Sequence, residues 1–480
     1  MSEAKKFYIT TTLPYVNAPA HLGHALEFIR ADTIARYKKL QGFEVFFNTG
    51  TDEHGQKIYR EALNKNKDPK EYVDFYAGKF KEILKLLGIS EDVNFTRTTD
   101  PHHVKSAQEF WKICDKNGYI YKKSYNMKYC VGCELEKTES ELVGGKCPIH
   151  PNLEIEFIDE ENYFFKFSAF SDKLLEFYEK NKNFVIPETR FNEIKSFVKR
   201  GLLDFSISRL KVKMPWGIDV PGDKNHIMYV WFDALVNYIS AIGWPDDLKK
   251  FNKWQVETGG MVQYCGKDNL RQQSAMWQAM LMAAGLPNSK TIIIDGFVTG
   301  AGGIKMSKSL GNVVDPAEIV KEYGTDALRY YVLRELSPFE DTQCTKELFK
   351  TAYNANLANG LGNLVSRILT MTEKYKVSYI GFNLKIDYKD SNLDAFDIKK
   401  YMDSIWLKIQ ETDKKIQEKE PYKLFKTDFQ IAKDIVCDLC GDLFIIANRL
   451  IPVMPETADK ILKYLKENKK PEKPLFARKD

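Results

Sequence analysis

FYITTTLPYVNAPAHLGHALEFIRADTIARYKKL, residues 7–40, is the stretch from which the fold is read. It opens with a β-rich run at Phe7, Tyr8 and Ile9 followed by threonines. Pro14 and Pro19 interrupt it, and it resumes as a helical pattern with apolar residues at Leu26, Ile29, Tyr37 and Leu40. A buried strand, a turn and a helix form the opening half of a βαβ unit, so an α/β fold with a parallel sheet is predicted. His21, Gly23 and His24 fall in the turn. The start of a helix presents unpaired N–H groups and a partial positive charge, a natural seat for phosphate. A glycine there lets a flat ring or a phosphate come close, and two imidazoles can donate hydrogen bonds to phosphate oxygens. Taken alone, these residues also suit an ordinary loop.

Outward from this stretch, GFEVFFNTGTDEHG reads as a second strand ending in a polar turn. Open parallel sheets place active residues at such carboxyl ends, which brings Asp52 forward; capping of the next helix is the plainer role for it. Gln56 to Gly88 reads as helix with a solvated outer face, and His102 and His103, after a DP turn, receive no role. Cys130-x2-Cys133 and Cys147-x2-His150, separated by thirteen residues, have the spacing of a closed tetrahedral Cys3His site. Four ligands fill the sphere, so the ion is expected to be structural. Cys437-x2-Cys440 lies in an apolar helical run without a partner pair and reads as core packing.

Farther along, HIMYVWFDALVNYIS is expected to resume the sheet, with Trp231, Ala234 and Tyr238 at helical spacing. MVQYCGKDNLRQQSAMWQAMLMAAGL reads as strand then helix, with Asp268 at the turn. TIIIDGFV and a Gly-rich TGAGG then lead to KMSKS, residues 305–309. Two lysines and two serines on a Gly-flanked loop can close on a triphosphate. Neither motif has the GxxxxGK[ST] form of a P-loop.

HLGH with KMSKS resembles the signature pair of the class I aminoacyl-tRNA synthetases, and the chain resembles the methionine branch of that class along its whole length. The resemblance rests on TTLPYVNAPAHLGHALE, GTDEHG (Gly50 to Gly55), the CxxC…CxxH cluster, YVWFDAL (Tyr229 to Leu235), GKD (Gly266 to Asp268) and NANLANGLGNLVSR (Asn354 to Arg367). It implies a Rossmann-type catalytic domain in two halves, 1–115 and 227–345, the second with the KMSKS loop and a stem. Between them it implies a connective insertion, 116–226, with a zinc knuckle and no room for an editing domain. An all-α helical bundle for anticodon binding follows over 346–480, without an appended dimerising module.

The same resemblance implies methionine, ATP and methionine tRNA as partners, one structural Zn2+ per chain and Mg2+ entering with ATP. His21 and His24 would act on the ATP phosphates, Gly23 would pack on adenine and Asp268 would face the ribose. Lys305 and Lys308 would stabilise the departing pyrophosphate. The methionine site would comprise Leu13, Tyr15, Asp52 (toward the α-ammonium), Trp231, Ala234, Tyr238, Gln273 and Trp277. Asn363, Arg367 and Tyr422 would read the anticodon. The chain departs from the family at Gln272 and Gln273, where an aromatic followed by a histidine is commoner, and at Leu235, where proline is frequent. Tyr422 stands where a tryptophan is common.

A chain of 480 residues, 44% apolar and 29% charged, is ordinary for a globular enzyme of two or three domains. The first residues lack the apolar core of a signal peptide and no apolar run approaches membrane-spanning length, so a cytoplasmic protein without membrane contact is expected, and the resemblance implies a monomer. A net charge of +5 permits a local basic face without requiring nucleic acid as a partner. Eight cysteines without a signal peptide suit thiols or a metal rather than disulfides. Two other readings stay open: another nucleotidyltransferase on the same HxGH fold, and a catalytically silent tRNA-binding relative.

Overall fold

The computed structural model describes residues 4–133, 135–304, 314–378, 381 and 386–480. The chain forms two compact units. One comprises Met1–Ala20, Glu44–Glu82 and Asp92–Ile294; the other comprises His21–Phe43, Ile83–Glu91 and Asp295–Asp480.

The first unit is built on a six-stranded sheet. Its strands are β1 (Lys6–Thr11), β2 (Glu44–Thr51), β3 (Asn94–Arg97), β7 (Val185–Ile186), β12 (Val262–Gly266) and β13 (Thr291–Asp295), in the order β3-β2-β1-β12-β13-β7. Five of the six residues of β1 are buried, as a strand covered on both faces requires. β1 pairs in parallel with both β2 and β12. The chain order therefore reverses at β1, and ligands of open α/β sheets bind outside the carboxyl ends at such a switch point. β2 and β3 approach closely because residue 50 is glycine: a Cβ there would lie 1.7 Å from the Thr96 carbonyl oxygen.

Three elements of this unit depart from the expected layout. His226–Met228 closes β11 (Asp223–Met228), which belongs to a separate antiparallel sheet with β9 (Ser208–Leu210) and β10 (Asp219–Val220). After β11 the parallel sheet takes its next strand at β12, and YVWFDALVNYIS folds as two short helices, Val230–Ala234 and Asn237–Ser240. β7, from within residues 116–226, pairs in parallel with β13 and so extends the main sheet. A further sheet, β5-β4-β6-β8, joins β4 (Ile120–Cys130), β5 (Leu135–Lys137), β6 (Glu156–Phe165) and β8 (Phe205–Ser206). The helical stretch after β2 divides into α2 (Gln56–Asn64) and α3 (Pro69–Leu86), and α4 (Pro101–Lys116) follows β3.

The second unit contains α1 (Leu22–Leu40) and the helices of the C-terminal half. α1 is buried on most of its circumference, and two of its buried residues are charged. Arg30 pairs with Asp295 at 2.9 Å and donates to the carbonyls of Pro338, Leu336 and Ser337. Asp32 takes Arg329 at 2.9 Å, Arg36 at 2.7 Å and the Ser90 hydroxyl at 2.7 Å. Burial opposes ionisation of Asp32, but the two guanidinium groups and Ser90 hold its carboxyl below the ordinary range. Beyond Lys346 the described residues are mainly helical, with long helices at Asn363–Tyr375, Ile398–Lys419, Phe429–Leu450 and Pro455–Glu467. Cys437 and Cys440 lie on the third of these, Cys440 fully buried. Among the described residues no helix is long and apolar enough to cross a membrane.

Candidate active site

Asp52 directly follows β2, at the carboxyl edge of the sheet, and is 2% exposed. It does not cap the next helix, whose N-cap is Gly55. Instead its backbone bridges to Tyr15, with Asp52 N–H donating to the Pro14 carbonyl at 3.0 Å. The turn that carries it is held from beneath by Glu53. Both carboxylate oxygens of Glu53 are paired with Arg97 (2.6 and 2.9 Å), and its backbone carbonyl accepts from the Trp216 indole at 2.6 Å.

Around this edge lie the aromatic residues. Tyr15 meets Trp231 edge-on at 6.3 Å between ring centroids. Trp231 and Ala234 share one short helix, while Tyr238 lies on the next, so the expected single helical face is broken between them. The Tyr238 and Trp277 rings are 5.9 Å apart. Gln273 Nε2 donates to the Tyr238 hydroxyl at 2.7 Å. Leu13 follows β1 at the same edge and is half-buried, and Asp268 is exposed in the turn after β12. Gln272 is buried in the segment Gln272–Met276, and Leu235 is buried in the core.

A cluster that the sequence did not disclose lies beside Trp231. Asp233 is fully buried; one carboxylate oxygen takes His54 Nδ1 at 2.6 Å and the other His103 Nε2 at 2.7 Å. His103 Nδ1 is 2.9 Å from the Ser240 hydroxyl. Burial alone would raise the Asp233 carboxyl; the two imidazoles hold it below the usual range. Three residues from distant parts of the chain thus tie the Asp52 turn, α4 and the Trp231 helix together. The one available signal was His54 inside GTDEHG.

In the second unit, His21 caps α1. Its Nδ1 accepts from the Gly23 N–H at 3.1 Å, and His24 Nδ1 accepts from the His21 N–H at 3.3 Å. Each Nδ1 is an acceptor, so each ring carries its hydrogen on Nε2. The two rings stack at 3.8 Å. Burial, then the adjacent His21, push His24 well below its ordinary range, which keeps it neutral near pH 7. A Cβ at Gly23 would stand 3.0 Å from the His21 ring, so glycine leaves room for the cap. Lys305 and Lys308 lie outside the described residues.

Cys130, Cys133, Cys147 and His150 converge with all four ligand atoms within 4.8 Å of one another. Cys133 Sγ lies 3.5 Å from Cys147 Sγ and 3.2 Å from His150 Nδ1, and Cys130 Sγ lies 3.8 Å from His150 Nδ1. A tetrahedral zinc with ordinary Zn–S bonds gives edges of about 3.7 Å, so the donor set and its spacing fit that ion. The knuckle depends on Gly132, where a Cβ would meet the His150 ring at 2.6 Å. In the helical half, Asn363 is exposed and Arg367, one turn later, pairs with Asp413. Tyr422 is 43% exposed on a short helix after Glu420.

The sequence pattern of the family described as "tRNA synthetases class I (M)" matches residues 7–156 and 149–369. The chain is 40% identical to the methionine–tRNA ligase of Clostridium acetobutylicum, spanning 96% of this chain and 73% of that protein. Against the corresponding ligase of Rickettsia conorii it is 38% identical, over 96% and 93% of the two. It is also similar to the structure of Mycobacterium tuberculosis methionyl-tRNA synthetase in complex with methionyl-adenylate, with a TM-score of 0.88 and 35% identity over 95% of this chain and 93% of that one.

Proposed function

The chain belongs to the methionine family of class I tRNA synthetases, and on that premise we propose how its residues divide the reaction. It is an ATP-dependent ligase that activates methionine to methionyl-adenylate and transfers it to the 3′-terminal adenosine of methionine tRNA. In the first step the methionine carboxylate is already the nucleophile, so no general base is needed. The protein aligns it with the α-phosphorus and absorbs charge on the phosphoryl oxygens.

Asp52 carries the reading of the amino-acid site: it is a buried carboxylate at the sheet switch point, joined through Tyr15 to an aromatic lining. It holds the α-ammonium. Leu13, Tyr15, Trp231, Ala234 and Trp277 enclose the side chain, with Tyr238 and Gln273 at its polar end. His21 and His24 donate from Nε2 to phosphate oxygens; this is supported by the occupation of both Nδ1 atoms by backbone N–H groups. Gly23 packs against adenine, Asp268 faces the ribose, and Lys305 with Lys308 stabilises the leaving pyrophosphate. Mg2+ enters with ATP and offsets phosphate charge.

Zn2+ would be held by Cys130, Cys133, Cys147 and His150, where it supplies folding energy and takes no part in the chemistry. None of the eight cysteines is in a disulfide, and three of them converge as metal ligands, which supports a cytoplasmic location. We read residues 116–226 as the connective insertion and 346–480 as the anticodon-binding bundle, in which Asn363, Arg367 and Tyr422 face the bases. ATP–pyrophosphate exchange with a panel of amino acids tests the assignment. Exchange driven by methionine alone is expected, and exchange driven by another amino acid instead would overturn it.

A further inference from the structure

Behind Tyr238 runs a buried chain of amide and hydroxyl groups, and its polarity can be worked out from one end. The Ser289 backbone N–H is 3.0 Å from Gln278 Oε1, and a backbone N–H can only donate. Gln278 Nε2 accordingly donates, both to the Gln273 carbonyl at 2.9 Å and to the Ser289 hydroxyl at 3.0 Å. Because the Ser289 hydroxyl oxygen accepts that hydrogen, its own hydrogen goes to Gln263 Oε1, 2.5 Å away. Gln263 Nε2 then donates to Gln273 Oε1 at 2.9 Å, and Gln273 Nε2 donates to the Tyr238 hydroxyl at 2.7 Å. Two backbone groups, the Ser289 N–H and the Gln273 carbonyl, fix the Gln278 amide the same way round, so no amide in the chain can turn over without leaving a buried group unsatisfied. All the side chains in it are 4% exposed or less.

The consequence falls on the tyrosine. Its oxygen accepts from Gln273, so its hydrogen is directed to an acceptor other than Gln273. We propose that Ser289 and Gln263 are positioning residues that set the direction of this hydrogen, so that Tyr238 meets the substrate side chain as a hydrogen-bond donor. This rests on the methionine reading above, in which the group at the end of the pocket is a thioether. A thioether sulfur is a weak acceptor, whereas a methylene in its place is none. The relay therefore selects methionine over the straight-chain analogue of equal length with CH2 for sulfur. With glutamine at 263 and 273 and serine at 289, no link of the relay behind the tyrosine is a titratable side chain.

The test is ATP–pyrophosphate exchange by the full chain with methionine and with norleucine, the methylene analogue. KM values are compared because they do not depend on the folded fraction. Ser289→Ala removes the donor to Gln263 and lets the downstream amides reverse. It is expected to raise the methionine KM by about three- to tenfold, the loss of one neutral hydrogen bond, while the norleucine and ATP KM values stay constant. Ser289→Thr, which keeps the hydroxyl, should retain the wild-type ratio. A Ser289→Ala enzyme that loses methionine and norleucine equally, or neither, overturns the relay. Wild-type exchange not driven by methionine would instead overturn the function reading, and the two failures are told apart by the wild-type control.

Discussion

Arg367→Ala offers the sharpest separation of tRNA recognition from amino-acid activation. In the free protein Arg367 is paired with Asp413, and both side chains are about one-third exposed (31% and 30%). A pair of that exposure contributes roughly 0–1 kcal/mol to folding, so losing it should barely move the melting temperature. A guanidinium that contacts a base edge contributes about 1–3 kcal/mol of recognition. At about 1.4 kcal/mol per decade, kcat/KM for tRNA should fall roughly 5- to 140-fold. Adenylation uses no tRNA, and exchange should be unchanged. The structure adds a second arm, because on this proposal Asp413 would compete with tRNA for the same guanidinium. Asp413→Asn removes the competing charge with little change of shape, and should leave tRNA KM equal to wild type or up to about fivefold lower. Aminoacylation and exchange, measured side by side on both variants, decide the matter. Equal loss of both steps in Arg367→Ala, or Asp413→Asn weakening tRNA as much as Arg367→Ala, would show that the pair holds the helices and does not read the anticodon.

Cys147→Ser should lower zinc content from one per chain toward zero and destabilise the protein, measured by metal analysis and thermal melting; full zinc content would remove Cys147 from the site. Gln273→Ala withdraws the donor from Tyr238 and orphans Gln263, at a cost of about 1–3 kcal/mol, and should raise the methionine KM well above any change in the ATP KM. Asp32→Asn leaves the buried Arg329 without its carboxylate and should cost about 3–5 kcal/mol in denaturant titration. The Asp32 carboxyl is held below its ordinary value of 3.8, so its stabilisation is present above that pH and lost as pH falls through the lower folded value. The wild type should therefore destabilise more steeply with acid than the Asn variant; parallel acid limbs would contradict the assignment.

Local patterns disclosed what depends on local physics. The continuous β-rich run of Phe7–Thr11, the breaks at Pro14 and Pro19 and the spacing of the helix gave β1 and α1 correctly. The x2 spacings of the Cys3His group brought four ligands together without knowledge of the intervening loop. Contacts made across the chain left no such trace. Nothing near His103 or Asp233 announces that they share a carboxylate–imidazole contact with His54, since each sits 130 or more residues from its partner or on a different element. The run YVWFDALVNYIS has enough β-branched and aromatic residues to suit a strand, yet it folds as two short helices, its propensity overridden by tertiary context. Likewise Gln263 and Ser289 are ordinary polar residues until their hydrogen bonds are followed in order.

The charged lining of α1 has a bearing on how the chain is made. Arg30 waits for Asp295, 265 residues downstream, and Lys38 for Asp394, 356 residues downstream. At ribosomal rates of about 5–20 residues per second, the helix emerges from roughly a quarter of a minute to a minute before its partners exist. During that interval Arg30, Asp32 and Arg36 keep the segment hydrated, where an all-apolar helix of equal length would offer a sticky surface to other nascent chains. Asp32 and Arg36 find Ser90 and Gly88 early, whereas Arg30 and Lys38 are paired only when synthesis has reached the second half.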